Sequence, residues 1–304
     1  MTKLYHDFEF SDEVADNLRS NRPVVALEST VLTHGLPYPQ NLNTAIKMEE
    51  RIRTGGACPA TTAILKGKVH VGLSNAQLEE ITDKKGIRKV SLRDIPATLV
   101  KKEYGGTTVA GTLFIANKSG IKVFATGGIG GIHRDSNSDI SADLHALGKF
   151  PLIVVCSGAK AILDLPATIE MLETLSIPVI GFKTNEFPAF YSDTSGLSVS
   201  SRMDSPEEVV EYAIHHGQLG LTSSILVTVP PPSDSSIPSK IIEEAVVQAT
   251  KETKDLGIHG QEVTPYILSR ISTLTNGASL QSNIDLLLNN AEIATQIACA
   301  YSIH

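Results

Sequence analysis

Val123–Lys160 reads VFATGGIGGIHRDSNSDISADLHALGKFPLIVVCSGAK, and the fold turns on how this stretch is read. A short apolar run ends in Ala125-Thr126 and gives way to the glycine-rich Gly127–Gly131. An acidic, serine-bearing segment follows. A second apolar run, Val154-Val155-Cys156-Ser157, closes on Gly158-Ala159-Lys160. Two buried strands with unusual chemistry at their carboxyl ends would look like this. The pattern continues outward. Pro23–Leu27, Pro178–Phe182 and Ser224–Val229 are short apolar runs that predict strands. Asn41–Thr54, Asn75–Asp83, Leu163–Leu175, Ser239–Leu256 and Ser279–Tyr301 predict helices, and Ser11, Asp164 and Asp204-Ser205 stand where N-caps belong. Ala60–Leu65 and Val69–Val71 flank Lys66-Gly67-Lys68 as a hairpin. The loop VLTHGLPYPQN, with Gly35, Pro37 and Pro39, is expected to hold no regular structure. Gly105–Thr108 is expected to open a helix. Strands alternating with helices predict an α/β fold with a mostly parallel sheet, and the last helices form a cap. No repeat or linker divides the chain, so residues 1–304 are read as one domain.

Composition narrows the function. With 26 Lys and Arg against 33 Asp and Glu, the net charge is −7. That argues against long nucleic acid as a partner, since it calls for a basic face. Aromatic residues make up only 5% and Trp is absent, which disfavours a stacking groove for sugars or single strands. The three cysteines lack metal-ligand spacing and read as reduced thiols. The acidic N-terminus has no apolar core for export, and no apolar run reaches membrane-spanning length. A cytoplasmic protein without a membrane is the expectation.

The polar residues of the opening stretch suggest a site for a sugar phosphate. Gly127–Gly131 could let backbone N–H groups converge on an anion, with His133 and Arg134 beside it, or it could be a plain turn. It is neither a dinucleotide fingerprint nor a P-loop. Asp135, Asn137 and Asp139 imitate the start of a calcium loop, but Ile140 and Ala146 break the pattern. Asp139 and Asp143 would share one face of a helix opened by Ser141, either as magnesium or manganese ligands or as acids favouring the helix dipole. Lys160 stands in apolar surroundings where a strand hands over to a helix. Desolvation and the helix dipole both favour its neutral amine, a nucleophile toward sugar aldehydes; a phosphate contact is the simpler alternative. Glu28, ending the first strand, could serve as a general acid. His34, Lys89, Asn185 and Asn283 could equally be structural.

With these residues in view, the chain resembles the pseudouridine-5′-phosphate glycosidase family, also called indigoidine-synthase-A-like. The matching stretches are VALEST, HGLPYPQN, ATTAILKGK, GGTTVAGT, ATGGIGGIHR, DISADL, VVCSGAKAILDL, TNEFPAFY, GQEVTPYIL and SLQSNIDLLLNNA, from about Arg22 to the last helix. The resemblance implies a three-layer α/β/α fold and a cytoplasmic homotrimer. It implies a lyase of nucleotide catabolism that reversibly cleaves the C–C glycosidic bond of pseudouridine 5′-phosphate, giving uracil and ribose 5-phosphate. It also implies one divalent ion per subunit, typically Mn²⁺ with Mg²⁺ as the alternative. By matching motif, Glu28 takes the proton donor's place and Lys160 that of the nucleophile, forming a Schiff base with ring-opened ribose. Asp139 takes the metal-ligand position. Ser141, Ala142 and Asp143 fall on a substrate-contact triplet, with Asp143 a candidate acid/base for ring opening. Lys89 and Val109 match further substrate contacts, and Thr126, His133 and Asn283 match pocket positions. The segment between His133 and Asp139 is shorter than in some relatives.

The chemistry fits these types. Carbon is a poor leaving group, so an iminium at C1′ is needed as an electron sink; two-carboxylate glycosidase chemistry would not need a lysine. A lysine-dependent aldolase-type lyase would use Lys160, Asp143 and the glycine turn equally well, and is told apart by uracil release and Glu28. A non-catalytic sugar-phosphate-binding protein would tolerate Lys160→Met.

Overall fold

The apolar runs become short strands buried on both faces: VVAL, VFA, IVVC, VIGF and ILVT are buried at every position. Strands of this kind lie inside parallel sheets covered by helices on each side. The structure is a computed structural model describing residues 6–134, 139–258 and 263–303. The chain begins with β1 (Phe8–Phe10), α1 (Asp12–Arg19), β2 (Val24–Leu27), α2 (Gln40–Thr54), β3 (Cys58–Leu65), β4 (Lys68–Val71) and α3 (Asn75–Asp83). It continues with β5 (Arg88–Val90), α4 (Ile95–Val100), β6 (Gly105–Thr107), α5 (Val109–Ser119), β7 (Val123–Ala125), β8 (Ile132–His133) and α6 (Ala142–Leu147). Next come β9 (Ile153–Cys156), β10 (Leu163–Asp164), α7 (Leu165–Thr174), β11 (Val179–Phe182), β12 (Ser201–Met203), α8 (Pro206–Gln218) and β13 (Ile225–Thr228). Helices α9 (Ser239–Asp255), α10 (Val263–Leu274) and α11 (Ala278–Tyr301) end it.

The main sheet runs β1-β4-β3-β2-β7-β9-β13-β11-β12, with β6 on β3 and β5 on β6. It is parallel except where β3 meets β4 and β6. Helix α11 lies across β2, β7 and β9 between α2 and α8, while α5 packs on α6 and on β2, so helices cover both faces. The expected α/β fold with a mostly parallel sheet and C-terminal helices is therefore what forms. Register is set at the centre by Leu27 opposite Ala125 and Ala125 opposite Val155. The next residues, Glu28, Thr126 and Cys156-Ser157, emerge side by side at the carboxyl edge.

Some details depart from the sequence-based expectations. Val31–Gly35 winds into one π-helical turn, despite the glycine and prolines around it. Gly105–Thr107 pairs as a strand before α5 begins; a Cβ on Gly105 would strike Val90 of the neighbouring β5, and one on Gly106 would strike Thr33 of the π-helical turn. The small sheet of β8 and β10 had no signal in two-residue strands.

Candidate active site

Strand β2 delivers Glu28 to the carboxyl edge, where it is buried and accepts a hydrogen bond from the Thr126 hydroxyl at the end of β7. Burial pushes the Glu28 carboxyl above the usual carboxylate range. The charge of Lys160 and the Thr126 hydroxyl oppose this, Asp143 adds to it, and Lys89 opposes it weakly. Lys89, half-buried on β5, is held below the ordinary lysine range by burial and then by the Lys160 charge; Asp143 and Glu28 pull the other way. Glu28, Lys89, Asp143 and Lys160 thus stand close enough to act on one another's charge, although β2, β5, α6 and the loop after β9 supply them. Perturbed groups of opposite sign converging at a sheet's carboxyl edge mark a functional site.

The half-buried Lys160 is fixed through its backbone. Its N–H donates to the Ile129 carbonyl at 3.1 Å, and Ile129 N–H donates to Gly158 O at 3.0 Å. Gly158 has φ +81°, and a Cβ there would lie 2.2 Å from Pro188 O, so only glycine turns this corner. Helix α7 begins at Leu165, after a turn and β10, so Lys160 does not sit at a helix N-terminus as its sequence context suggested.

Asp143 is buried in the first turn of α6, whose N-cap is Ser141. Its carboxylate accepts Ala110 N–H and Gly130 N–H, each at 2.9 Å, and ties α5 to the glycine run. The glycines serve close packing: a Cβ on Gly130 would meet Ser141 Oγ at 2.2 Å, and one on Gly131 would meet Thr168 Oγ1 at 2.3 Å. The N–H groups of Ile129, Gly130, Ile132 and His133 all donate within the protein. Within Gly127–Gly131, the N–H groups of Ile129 and Gly130 are therefore committed to the protein's own structure. Arg134 is committed as well. It grips Glu243 on α9 through two nitrogens, at 2.6 and 2.9 Å, and donates to the carbonyls of Ala161 and Leu163, both 3.2 Å away. It supports the Lys160 loop and is not a phosphate-facing neighbour of the turn.

Asp139 lies before α6 and is exposed, so it does not share a helical face with Asp143. Its carbonyl accepts His133 N–H at 3.0 Å, which fastens the start of Asp139–Ser141 to β8. Among the described residues no three His, Cys, Asp or Glu side chains gather as a metal cage. One exposed carboxylate fits only an ion that keeps most of its waters, as Mg²⁺ and Mn²⁺ can. Asp135 and Asn137 of the calcium-loop comparison lie outside the described residues.

The remaining expected residues take distinct places. Val109 is buried at the first position of α5, His133 is half-buried on β8, and Ala142 is exposed at the start of α6. His34 hydrogen-bonds Thr33 and Ile87 O; burial and then Lys89 hold its pKa low, favouring the neutral ring. Helix α11 runs antiparallel to the strands. Ala298 and Tyr301 stand with Val24 and Val123 around a cleft of about 260 Å³ at the amino ends of β2 and β7. The charged residues of that cleft are Arg22 and Lys122, so it gathers no acid–base pair. Asn290 reaches Thr126 O at the opposite end, and Asn283 lies two turns earlier on the same helix, in the direction of the carboxyl edge. Asn283 Oδ1 is buried without a hydrogen-bond partner, an acceptor open to a ligand donor. Asn290 and Ser157 escaped the sequence reading; the one available signal was the seven-residue spacing of Asn283 and Asn290, which puts both on one face of an apolar helix.

Fold and cluster together define an α/β enzyme that brings a lysine amine and a buried carboxyl of raised proton affinity to the carboxyl edge of its sheet. The chain belongs to the family of indigoidine synthase A like proteins, whose family model matches residues 13–300. It is 48% identical over 292 residues to the pseudouridine-5′-phosphate glycosidase of Caldanaerobacter subterraneus subsp. tengcongensis, covering 95% of each chain. It is 47% identical over 296 residues to pseudouridine-5′-phosphate glycosidase 2 of Photorhabdus laumondii, covering 96% of this chain and 95% of that one. Among solved structures, an indigoidine synthase A-like protein of Thermotoga maritima superposes with TM-score 0.91 at 36% identity, covering 99% of both chains. The prealnumycin C-glycosynthase in complex with ribulose 5-phosphate also superposes with TM-score 0.91, at 37% identity, covering 99% of this chain and 98% of that one.

Proposed function

We propose that this chain is a pseudouridine-5′-phosphate glycosidase, a lyase that reversibly converts pseudouridine 5′-phosphate and water to uracil and ribose 5-phosphate. The observation that carries this reading is the convergence of Lys160, Lys89 and Asp143 on a buried Glu28 that retains its proton above the usual carboxylate range. The curated relatives support the substrate. Ribulose 5-phosphate in the related C-glycosynthase supports an open-chain pentose phosphate at such a site.

Lys89 and the amide of Asn283 bind and orient the nucleotide, with Thr126, His133, Ser141 and Ala142 around it. The side chain of Val109 is in the core, so a contact there falls to the backbone. Lys160 Nζ bonds to C1′ as the C1′–O4′ bond breaks, and Asp143 carries one proton from Nζ to O4′, leaving an open-chain hydroxyl and a neutral secondary amine. Its lone pair then moves into a C1′=N bond while the electrons of the C1′–C5 bond return to the uracil ring, and C5 takes its proton from Glu28. Water adds to the iminium, freeing ribose 5-phosphate and Lys160, and Glu28 regains a proton from solvent. Thr126 stabilises the carboxylate that Glu28 becomes. Asp139 is the residue that would hold a hydrated divalent ion, Mn²⁺ in preference to Mg²⁺; when bound, the ion supplies positive charge beside the phosphate. A homotrimer in the cytoplasm is part of the same proposal.

Incubation with Mn²⁺ and pseudouridine 5′-phosphate tests the reading. Uracil and ribose 5-phosphate released in equal amounts are expected, with Glu28→Gln inactive. Absence of uracil, together with cleavage of another sugar phosphate, would favour an aldolase-type lyase instead.

A further inference from the structure

Helix α11 places one fully buried polar side chain, Asn290, against the carboxyl ends of β7 and β9 at once. Its Nδ2 donates to Thr126 O at 2.9 Å, and Gly127 O lies 3.5 Å away. The Ser157 hydroxyl lies across the amide, 3.1 Å from Nδ2 and 3.3 Å from Oδ1. Thr126 carries the hydroxyl that bonds Glu28, and Ser157 begins the four-residue turn to Lys160. Ser157 is also fixed through its N–H to Gly127 O at 2.8 Å, so the two strand ends and the helix form one hydrogen-bonded joint.

We propose that Asn290 is a positioning residue for this reaction: acting through Thr126 and Ser157, it holds the proton donor Glu28 and the nucleophile Lys160 in register with each other. This rests on the glycosidase reading above. The amide is matched to the task. A carboxylate would face the carbonyls of Thr126 and Gly127, and an aliphatic residue would leave Thr126 O and Ser157 Oγ without their partner. Glu28 and Lys160 leave different strands, and a catalytic geometry of this kind loses rate steeply for small displacements. Asn290 touches no reacting atom, so its effect belongs to kcat rather than to substrate affinity.

The test compares Asn290→Leu with Thr126→Val, the double variant, and Asn289→Ala as a control one position away. We expect N290L to lower kcat by about 10–100-fold with KM within about 3-fold. The alkaline limb of kcat/KM should move upward, in the same direction as in T126V, because Glu28 loses the hydroxyl that favours its carboxylate. The double variant should be no more than about 3-fold slower than the slower single variant, since both act on one joint. N289A should match the parent protein. An unmoved pH limb with rate losses that multiply would overturn the proposal and leave Asn290 a purely structural residue. If N290L does not fold, Asn290→Ser, which keeps a hydroxyl but lacks the reach to Thr126 O, is read by the same criteria. A parent protein that releases no uracil would instead count against the glycosidase reading itself.

Discussion

Glu28 shows how much of this site depends on environment. In the sequence it is one acid among 33 Asp and Glu residues. In the fold it is buried, with one hydroxyl partner and two lysines in reach of its charge. Burial wins over the lysines, so the folded carboxyl holds its proton above the range where the unfolded carboxyl releases it. The linkage sign follows: stability from this group is full below the ordinary carboxylate range and is lost as pH rises through the raised value. Glu28→Gln should therefore unfold at a higher temperature than the parent protein at pH 8, by roughly 2–4 °C per kcal/mol relieved, and show no such gain at pH 4. The same variant should lose at least about 100-fold in kcat. Thermal unfolding at both pH values, with uracil assays, checks the pair; a lower melting temperature at pH 8 would contradict the assignment. The sequence made Glu28 and Lys160 visible as candidates because strand ends in α/β sheets carry chemistry. It could not show that Arg134 turns to Glu243, or that each Asp143 oxygen accepts one backbone N–H group. Those partners lie 109 and up to 33 residues away, beyond any local pattern.

At the scale of elements, the strands and long helices were legible because their periodicity and caps agree with their final burial. Ser11, Ser74, Thr108, Ser141, Asp164 and Ser205 all cap helices by side-chain acceptance. The two-residue strands and the π-helical turn were not legible, since tertiary pairing decides them. The role of the glycine run stayed open between an anion site and a plain turn for a related reason: a glycine that admits a neighbour and a glycine that frees a turn look identical in one sequence. Gly158 and Gly196 separate the two effects. Both have positive φ, but only Gly158 has backbone in the way of a Cβ, and only Gly158 abuts the Lys160 turn. Gly158→Ala is expected to lower uracil release at least about 10-fold and to destabilise the chain by more than the roughly 1 kcal/mol expected at Gly196→Ala. Parallel melting curves and rates check this; equal effects at both positions would refute it.

For the whole molecule, the sheet joins residues from β2, β5, α6 and the turn after β9 into one charge cluster, which explains why no single stretch contains the site. The opening stretch held Lys160 and Asp143 but lacked Glu28 and Lys89. The proposed ion would belong to a different scale of stability. Asp139 is exposed and outside the core, so a chelator should abolish uracil release while moving the melting temperature by less than about 2 °C. Asp139→Asn should raise the Mn²⁺ concentration needed for half-maximal rate. A large loss of stability on chelation would point to a structural metal instead. Among the described residues no helix is long and apolar enough to cross a membrane.

The central claim is that Lys160 forms a covalent imine with the sugar, and it can be read directly. The protein is incubated with ribose 5-phosphate and Mn²⁺, reduced with borohydride, digested, and mapped by mass spectrometry. The expected result is a single pentose-phosphate adduct on the peptide carrying Lys160, absent from Lys160→Met and suppressed when borohydride is omitted. An adduct on Lys89 or another lysine, or none while uracil release proceeds, would contradict the mechanism.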